Sequence, residues 1–380
     1  MLAEDITAPV DLPPFPASAM DGYALRLEDW RENSADPFTL IGESLAGHPF
    51  AGTVGRQECV RVFTGGVVPT GADQVIVQEE RLHVDGNRVT FRPHTASESF
   101  VRPIGHDIHR GQILARAGSL ITPLLLGSLA AAGIATVKVF QRLKVGVFST
   151  GDELVDTSVA PEDLQAGQIY DSNRATMLAL LSDLALETID LGRLPDNAAK
   201  TREALSQAAG DFDALISSGG VSVGDADFVT NTIRELGELT FWKLNLKPGK
   251  PMAIGKIKEC WLFGLPGNPV STIVTLLLIA RPALLKMAGL SEIPTPIRVN
   301  AELAVDLAHR PGRTEFQRGV LYTENGTLYV THTGDQSSNR LSSFAAANCL
   351  IEIGADLEDP KAGTLLPTLS LQALLSTSIL

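Results

Sequence analysis

The stretch ALISSGGVSVGDADFV at residues 214–229 decides the predicted fold of the central part of the chain. Ala214–Ile216 is a short apolar strand candidate that runs directly into the glycine-rich loop Ser217–Gly220. A helix candidate, Phe228–Leu236, follows the loop. Ligands of open α/β sheets bind at the carboxyl ends of the strands, and glycines let the backbone approach a phosphate closely. The stretch therefore predicts a ligand-binding loop between a buried strand and a helix.

Two carboxylates at the end of this loop allow two interpretations. Asp225 and Asp227 either cap the following helix or bind Mg²⁺ together with the phosphates of a substrate. A plain glycine turn followed by a helix cap would need no ligand at all.

A second loop of the same kind lies upstream, where Leu143–Phe148 ends in Ser149-Thr150-Gly151-Asp152-Glu153. It combines small hydroxyls, a glycine and carboxylates, as the first loop does. Two such loops at strand ends of one sheet converge on one cleft. The alternative is an ordinary loop whose carboxylates favour the positive end of a helix dipole.

Strands and helices alternate around these loops, which is typical of an α/β layer fold. The helix candidates are Ser172–Leu186, 197–209 and Val270–Ala288. Asp196 is the predicted cap of the second, and Pro282 either breaks the third or leaves it intact. The strand candidates are Glu187–Leu191, Phe241–Leu246, Met252–Ile254 and Trp261–Gly264.

The regions on either side of this α/β pattern are predicted to be β-rich. Asp85-Gly86-Asn87 and Glu324-Asn325-Gly326 each interrupt an alternating run, which predicts two hairpins. Between them, Thr122 and Pro123 are predicted to open a helix that ends near Gly133.

Two further loops carry groups suited to an anion. Lys247-Pro248-Gly249-Lys250-Pro251 holds two lysines on a segment stiffened by prolines, which suggests an oxyanion site, although lysines are also common in solvated turns. Gly264–Ser271 is a rigid loop before the most apolar helix candidate. No P-loop, GxGxxG or GxSxG motif occurs. The candidate loops contain carboxylates, lysines, glycines and hydroxyls, which suit metal-assisted phosphate chemistry more than covalent catalysis.

Composition excludes several classes of protein. The 380 residues carry a formal net charge of −13, which disfavours binding to nucleic acid. The three cysteines lie far apart and form no CxxC pair, and the N-terminus is acidic and proline-rich, so we expect a cytoplasmic protein without a signal peptide. The apolar run Val270–Ala280 is shorter than a membrane span, so no membrane insertion is expected.

Taken together and in order, ten segments resemble the molybdopterin molybdenumtransferase family, which includes MoeA and the E domain of gephyrin. The matching runs are PPFPASAMDGYALR at 13–26, FTGGVVPTGADQVIVQEE at 63–80, RPIGHDIHRGQIL at 102–114, VGVFSTGDEL at 145–154, GQIYDSNRATMLALL at 167–181, SSGGVSVGDADFV at 217–229, FWKLNLKPGKPMAIGK at 241–256, FGLPGNPVST at 263–272, GRTEFQRG at 312–319 and GDQSSNRLSSFAAAN at 334–348. Any one run is a weak signal, but ten in register are specific.

The resemblance implies an enzyme that inserts molybdenum from molybdate into adenylylated molybdopterin. It also implies a Mg²⁺-dependent hydrolysis that releases AMP and leaves molybdenum cofactor. This chemistry agrees with the residues, because breaking a phosphoanhydride needs Mg²⁺ on carboxylates and cations near the developing charge. Molybdate, a tetrahedral dianion, needs lysine, arginine and hydroxyl donors.

The resemblance also assigns residues. The implied catalytic residues are Asp21, Thr64, Asp107, Glu153, Asp196 and Asp227, with Glu153 and Asp227 also assigned to Mg²⁺. The implied substrate-binding residues are Ser149, Thr150, Gly151, Ser218, Gly219, Gly220, Ser222, Lys247, Lys250, Pro266, Pro269, Ser271 and Arg313. For Asp196, a helix cap is the alternative interpretation.

The fold class that the resemblance implies is α/β plus β in several domains. The expected domains are an N-terminal dimerisation domain (1–15 plus 103–142), a β-rich lasso domain (16–102), a three-layer α/β molybdopterin-binding domain (143–294) and a barrel-like C-terminal β domain (295–380). A homodimer is expected, with the active site between the α/β domain of one subunit and the lasso and C-terminal domains of the other. Contacts with a molybdopterin adenylyltransferase and with molybdoenzyme maturation proteins are further expectations.

One feature departs from the family pattern. A helical segment usually precedes the region matching AEDITAP, whereas here Met1-Leu2 precedes it directly, which puts the stability of the dimer in question. Two alternative functions stay open: a non-catalytic scaffold of the gephyrin E-domain type, which the retained carboxylates disfavour, and a molybdopterin adenylyltransferase, which the additional β-rich regions disfavour.

Overall fold

The computed structural model describes residues 1–32, 35–93, 98–221, 227–241, 243–293 and 295–375. The chain divides into two compact units. The N-terminal unit comprises Leu2–Ala117 and Ile121–Lys138, and the C-terminal unit comprises Met1, Gly118–Leu120 and Val139–Leu380.

The N-terminal unit is mainly β-structure, as predicted. Its elements are β1 (Ile6–Thr7), β2 (Ala17–Ser18), β3 (Gly22–Leu25), α1 (Leu27–Glu32), β4 (Phe38–Ser44), β5 (Glu58–Val62), β6 (Gln74–Val77), β7 (Arg81–Asp85), β8 (Arg88–Phe91), β9 (Val101–Arg102), β10 (Ile113–Ala115) and α2 (Pro123–Ala131). Six strands form one sheet in the order β6-β3-β5-β4-β8-β7, and β1 pairs with β10 and β2 with β9. Tyr23, Phe38 and Phe91 pack edge to face in its core.

Both local signals in this unit are confirmed. The β7–β8 hairpin turns through Gly86, whose φ of 58° lies in the left-handed region that glycine favours. Helix α2 begins after Thr122, whose side chain accepts a hydrogen bond from the N–H of Leu125 at 3.2 Å.

The first half of the C-terminal unit is the predicted three-layer α/β fold. Its elements are β11 (Lys144–Thr150), β12 (Leu154–Val155), β13 (Ile169–Tyr170), α3 (Ser172–Ser182), β14 (Glu187–Leu194), α4 (Ala198–Ala208), β15 (Ala214–Ser218), α5 (Phe228–Leu236), β16 (Glu238–Phe241), β17 (Leu246–Lys247), β18 (Ala253–Ile257) and β19 (Cys260–Leu265). The sheet order is β14-β11-β15-β19-β18-β16, and the first four strands are parallel. Met177 of α3 packs on one face with Ile216, while Val229 of α5 packs on the other with Leu215.

A long apolar helix follows this sheet. It consists of α6 (Pro269–Thr275), a π-helical turn (Leu276–Ala280) and α7 (Arg281–Met287). Pro282 lies at the start of α7 and does not end the helix, because it follows directly on the π turn, where the regular hydrogen-bond ladder is already shifted.

The prediction that the apolar segment is too short to span a membrane was wrong. Pro269–Met287 has 19 residues and a mean hydropathy of 1.6, which by length and composition alone could cross a bilayer, and 67% of its most apolar window is buried. One side of this helix, with Leu276 and Leu284, packs into the core shared with the sheet, and another, with Val270 and Val274, packs against the C-terminal strands. The apolar composition is therefore that of a core helix.

The C-terminal strands close into a barrel-like sheet. The elements are β20 (Arg298–Leu303), β21 (Thr314–Glu324), β22 (Thr327–His332), α8 (Ser342–Ala345), β23 (Cys349–Ile353), β24 (Leu365–Ser370) and α9 (Leu371–Leu375). The ring β21-β22-β20-β24-β23 closes because β23 also pairs with β21. The predicted β21–β22 hairpin turns through Asn325 and Gly326, both with positive φ.

Two expectations for the α/β region were wrong in detail. Asn197, and not Asp196, caps α4, since its side chain accepts from the N–H of Lys200 at 3.0 Å. The segment Phe241–Leu246 is not one strand: β16 ends at Phe241, and β17 begins at Leu246 and pairs in parallel with β21 of the barrel. Lys247 therefore belongs to a strand of the barrel and not to the α/β sheet.

Candidate active site

Eleven of the thirteen residues predicted to bind substrate, all except Ser149 and Ser222, line a groove in the C-terminal unit. It consists of two adjoining cavities of about 730 Å³ and 610 Å³. We call them the basic cavity and the polar cavity. They share Pro251, Asn268 and Ser271 as lining residues, so the two cavities lie side by side.

The basic cavity brings together the predicted oxyanion-binding cations. Lys247, Lys250 and Arg313 all line it, together with the carboxylates of Asp306, Glu315 and Asp335. The register of β17 against β21 sets Lys247 opposite Glu315, and its Nζ lies 2.9 Å from the Oε2 of that carboxylate. Glu315 is only 3% exposed and Lys247 is 46% exposed, so the buried carboxylate holds the ammonium group at the cavity wall.

Arg318, a buried residue that was not among the predicted site residues, binds the backbone of a loop that lines the basic cavity. The Nη1 and Nη2 atoms of Arg318 donate to the carbonyl oxygens of Gln336 and Ser337 at 3.2 and 3.1 Å. Its Nε donates to the hydroxyl of Ser343 at 2.9 Å, and burial lowers the pKa of the guanidinium. These bonds fix the loop 334–338, which lines the cavity.

The polar cavity lies at the carboxyl ends of two neighbouring parallel strands, as the sequence predicted. Thr150 and Gly151 follow from β11, and Ser218, Gly219 and Gly220 follow from β15. Gly219 has a φ of +89°, and a Cβ there would lie 2.7 Å from Oγ1 of Thr150. The glycine is therefore required by both the backbone conformation and the close approach of the two loops.

Two of the predicted acids line the polar cavity. Glu153 and Asp196 are both exposed there. The N–H of Asp152 lies 3.3 Å from Oδ2 of Asp196, and the N–H of Asp196 lies 3.3 Å from Oδ1 of Asp152. Asp196 thus holds the two loops together and is not a helix cap.

The remaining acid of this unit, Asp227, has a different environment. It caps α5 by accepting the N–H of Thr230 at 3.0 Å, and burial raises the pKa of its carboxyl above the usual value. Asp227 does not belong to the described lining of the polar cavity. Ser222 and Asp225 lie outside the described residues.

The loop residues predicted at the groove fall into two groups. Pro266, Pro269 and Ser271 line the polar cavity. Ser149 is buried at the end of β11, and its hydroxyl donates to the carboxylate of Asp171, so it supports the cavity from behind.

Three further predicted residues belong to the N-terminal unit. Oδ1 of Asp21 accepts both the N–H of Thr64 at 2.8 Å and its hydroxyl at 2.9 Å, and these bonds hold the pKa of Asp21 below its usual value. Asp107 is exposed, and its N–H donates to the carbonyl of Leu12.

The donor set fits a magnesium ion with few protein ligands. Among the residues described, no group of three His, Cys, Asp or Glu side chains could hold a metal ion. Mg²⁺ typically takes one or two carboxylates and completes its shell with water and substrate phosphates. Glu153 and Asp196 beside the glycine loops match that pattern, whereas the buried, capped Asp227 does not.

Comparisons with known proteins agree with this geometry. Residues 1–133 match the family region described as MoeA N-terminal region (domain I and II), 146–286 match a probable molybdopterin binding domain, and 300–371 match MoeA C-terminal region (domain IV).

Individual relatives cover nearly the whole chain. A molybdopterin molybdenumtransferase of Haemophilus influenzae is 42% identical over 95% of this chain and 88% of its own length. One of Nostoc sp. is 35% identical over 92% of this chain and 81% of its own. A crystal structure of the molybdopterin biosynthesis moeA protein from Pyrococcus horikoshii OT3 has a TM-score of 0.79 and 31% identity, covering 97% of this chain and 91% of that one.

Proposed function

The chain belongs to the MoeA family of molybdopterin molybdenumtransferases and acts as a transferase in molybdenum cofactor biosynthesis, and on this premise we propose its reaction in detail. It inserts molybdenum from molybdate into adenylylated molybdopterin, and hydrolysis of the pyrophosphate bond releases AMP. The two adjoining cavities, one lined by Lys247, Lys250 and Arg313 and the other by the glycine loops, are the observation that carries this proposal.

The basic cavity is the proposed molybdate site. Molybdate is a tetrahedral dianion, and Lys250, Lys247 and Arg313 supply cationic donors around one space. Because Glu315 holds Lys247 in place, its ammonium needs little reorganisation when the anion enters. Ser271, shared by both cavities, can donate its hydroxyl to either end of the substrate.

The polar cavity is the proposed site of the phosphoanhydride. Gly219 and Gly220 line this cavity and carry no side chain of their own, so a phosphate can come close to the backbone there. The N–H of Gly219 already donates to the carbonyl oxygen of Leu265, so the N–H of Gly220 is the proposed backbone donor. In hydrolysis, the water oxygen bonds to one phosphorus and the bridging oxygen leaves with the other phosphate, while Glu153 or Asp196 accepts the water proton. Mg²⁺ held by these two carboxylates would neutralise the charge of the phosphates.

The proposal includes an assembly and a setting. We propose a homodimer built from the four domains expected from the sequence, with Asp21, Thr64 and Asp107 as further functional residues. The proposed setting is the cytoplasm, which agrees with the three free, buried cysteines. A molybdopterin adenylyltransferase would supply the substrate, and molybdoenzyme maturation proteins would receive the product.

The proposal is tested by following AMP release from adenylylated molybdopterin with and without molybdate, in millimolar Mg²⁺. Release should depend on molybdate, and Glu153→Gln should slow it about 100-fold or more because a proton acceptor is lost. Glu203→Gln changes an exposed carboxylate on α4, outside both cavities, and is the matched control. Release without molybdate, or release by Glu153→Gln at the wild-type rate, would contradict the proposal.

A further inference from the structure

One wall of the polar cavity is chemically unlike the rest. The short parallel ribbon of β12 and β13 pairs Leu154 with Ile169, and both residues line the cavity together with Tyr170. Ile169 is 56% exposed, whereas the other lining residues outside the ribbon are, apart from Val221, glycines, prolines or polar residues. Leu154 and Ile169 lie on the same face of the ribbon because they are paired, and two aliphatic side chains do not help to bind phosphate, so this wall suits an apolar, planar group.

The ribbon is held rigidly. Arg174 of α3, with a side chain only 14% exposed, binds Asp171 at 3.0 Å, Asp156 at 3.0 Å and Asp190 at 2.6 Å. Asp156 follows β12 directly and Asp171 follows β13 directly, so one guanidinium fixes the ends of both strands. The hydroxyl of Tyr170 donates to a backbone carbonyl at 2.8 Å, which fixes its ring. The ribbon is therefore a preorganised surface.

Asn173 adds an oriented acceptor to the same cavity. Its Nδ2 donates to Oγ of Ser218 at 2.7 Å and to the carbonyl oxygen of Gly267 at 2.6 Å. Because the carbonyl can only accept, the amide nitrogen must point to it, and the orientation of the side chain is determined. Within the described ranges, Oδ1 of Asn173 accepts no hydrogen bond, and the residue lines the cavity.

We propose that the β12–β13 ribbon and Asn173 bind the planar heterobicyclic ring of the substrate, either its pterin or its adenine. Leu154 and Ile169, which are paired across the ribbon and therefore share one face of it, cover the face of the ring, and Oδ1 of Asn173 accepts from a ring N–H or from the exocyclic amino group that both rings carry. This inference rests on the proposed function and assigns the site that selects the ring, as distinct from the sites that hold phosphate and oxyanion.

Calorimetric titration with two pairs of ligands tests the assignment. AMP is compared with ribose 5-phosphate, and 6-hydroxymethylpterin diphosphate with inorganic pyrophosphate, so each pair differs only in the ring-bearing part. The wild type should bind a ring-bearing ligand more tightly than its ringless partner. In Ile169→Ser, that ligand should bind about tenfold more weakly, because the apolar contact is lost, while the ringless partner should be unaffected. The pair that responds identifies the ring.

Ile297→Ser is the matched control, because Ile297 is 65% exposed in the same unit and lines neither cavity. The inference is overturned if the wild type shows no preference for either ring-bearing ligand. It is also overturned if Ile169→Ser leaves that preference intact or weakens both members of a pair equally. Molybdate-dependent AMP release without a ring preference would defeat this inference alone, and a ring preference without AMP release would defeat the proposed reaction alone.

Discussion

Gly219 lies in the loop Ser217–Gly220, which we call the phosphate loop. Its replacement by alanine, compared with a control, separates the effect of the positive φ from the effect of close packing against Thr150. At Gly219 the φ of +89° disfavours any side chain, and a Cβ would lie 2.7 Å from Oγ1 and 2.9 Å from the carbonyl oxygen of Thr150. The matched control is Gly192→Ala in β14, where φ is +73° and nothing lies within 4 Å of the Cβ position.

The structure gives a magnitude for each variant. The positive φ alone costs about 1–2 kcal/mol, and the reduced freedom of the unfolded chain offsets about 0.4–1 kcal/mol of it. Gly192→Ala should therefore lower the free energy of unfolding by about 1 kcal/mol. Gly219→Ala adds a forced displacement from Thr150, and overpacking of this kind costs about 1–3 kcal/mol. Its total loss should be about 2–4 kcal/mol.

Urea unfolding followed by circular dichroism measures the difference between the two variants, and AMP release measures the effect on the site. Displacement of the phosphate loop should slow AMP release about 100-fold in Gly219→Ala, whereas Gly192→Ala should match the wild type. Equal stability of the two variants would refute the packing argument. A wild-type rate of AMP release in Gly219→Ala would refute the role of the loop in the site.

Three other predictions follow from single contacts. Arg318→Met should lower the affinity for molybdate at least about tenfold in equilibrium binding while the fold persists by circular dichroism, because the loop 334–338 loses its buried donors. Hydrogen bonds from the hydroxyl and the N–H of Ser337 hold the pKa of Asp335 at about 2, below its ordinary 3.8. The stability that these bonds contribute is therefore present above pH 3.8 and is lost as pH falls towards 2. In Ser337→Ala, NMR titration should show the pKa of Asp335 moving back up. Thr122→Ala should lower the free energy of unfolding by about 1 kcal/mol in urea titration, because α2 loses its cap.

Local chemistry explains which parts of the site could be predicted from the sequence. A strand that runs into glycines and hydroxyls must place them at the carboxyl edge of a parallel sheet, so Thr150 and Gly219 were found by pattern alone. The prolines around Lys247 and Lys250 likewise marked a stiff segment with an unusual concentration of charge.

The missed residues act across long sequence distances. Arg318 has no distinctive sequence neighbour, and its role appears only when β21 brings it beneath a loop 16–20 residues further along. Asn173 links one strand end to a loop 94 residues away. The length of the apolar helix was underestimated for a local reason, because the π turn Leu276–Ala280 lets the helix continue through Pro282.

The position of a bound oxyanion decides whether the basic cavity is the molybdate site. A crystal structure with tungstate, a tetrahedral analogue of molybdate whose anomalous scattering identifies the metal, shows where the anion binds. The account predicts a single strong anomalous peak in the basic cavity, with tungstate oxygens within hydrogen-bond distance of Lys250 and Arg313. A peak elsewhere in the chain, or none in this cavity at saturating tungstate, would contradict the account.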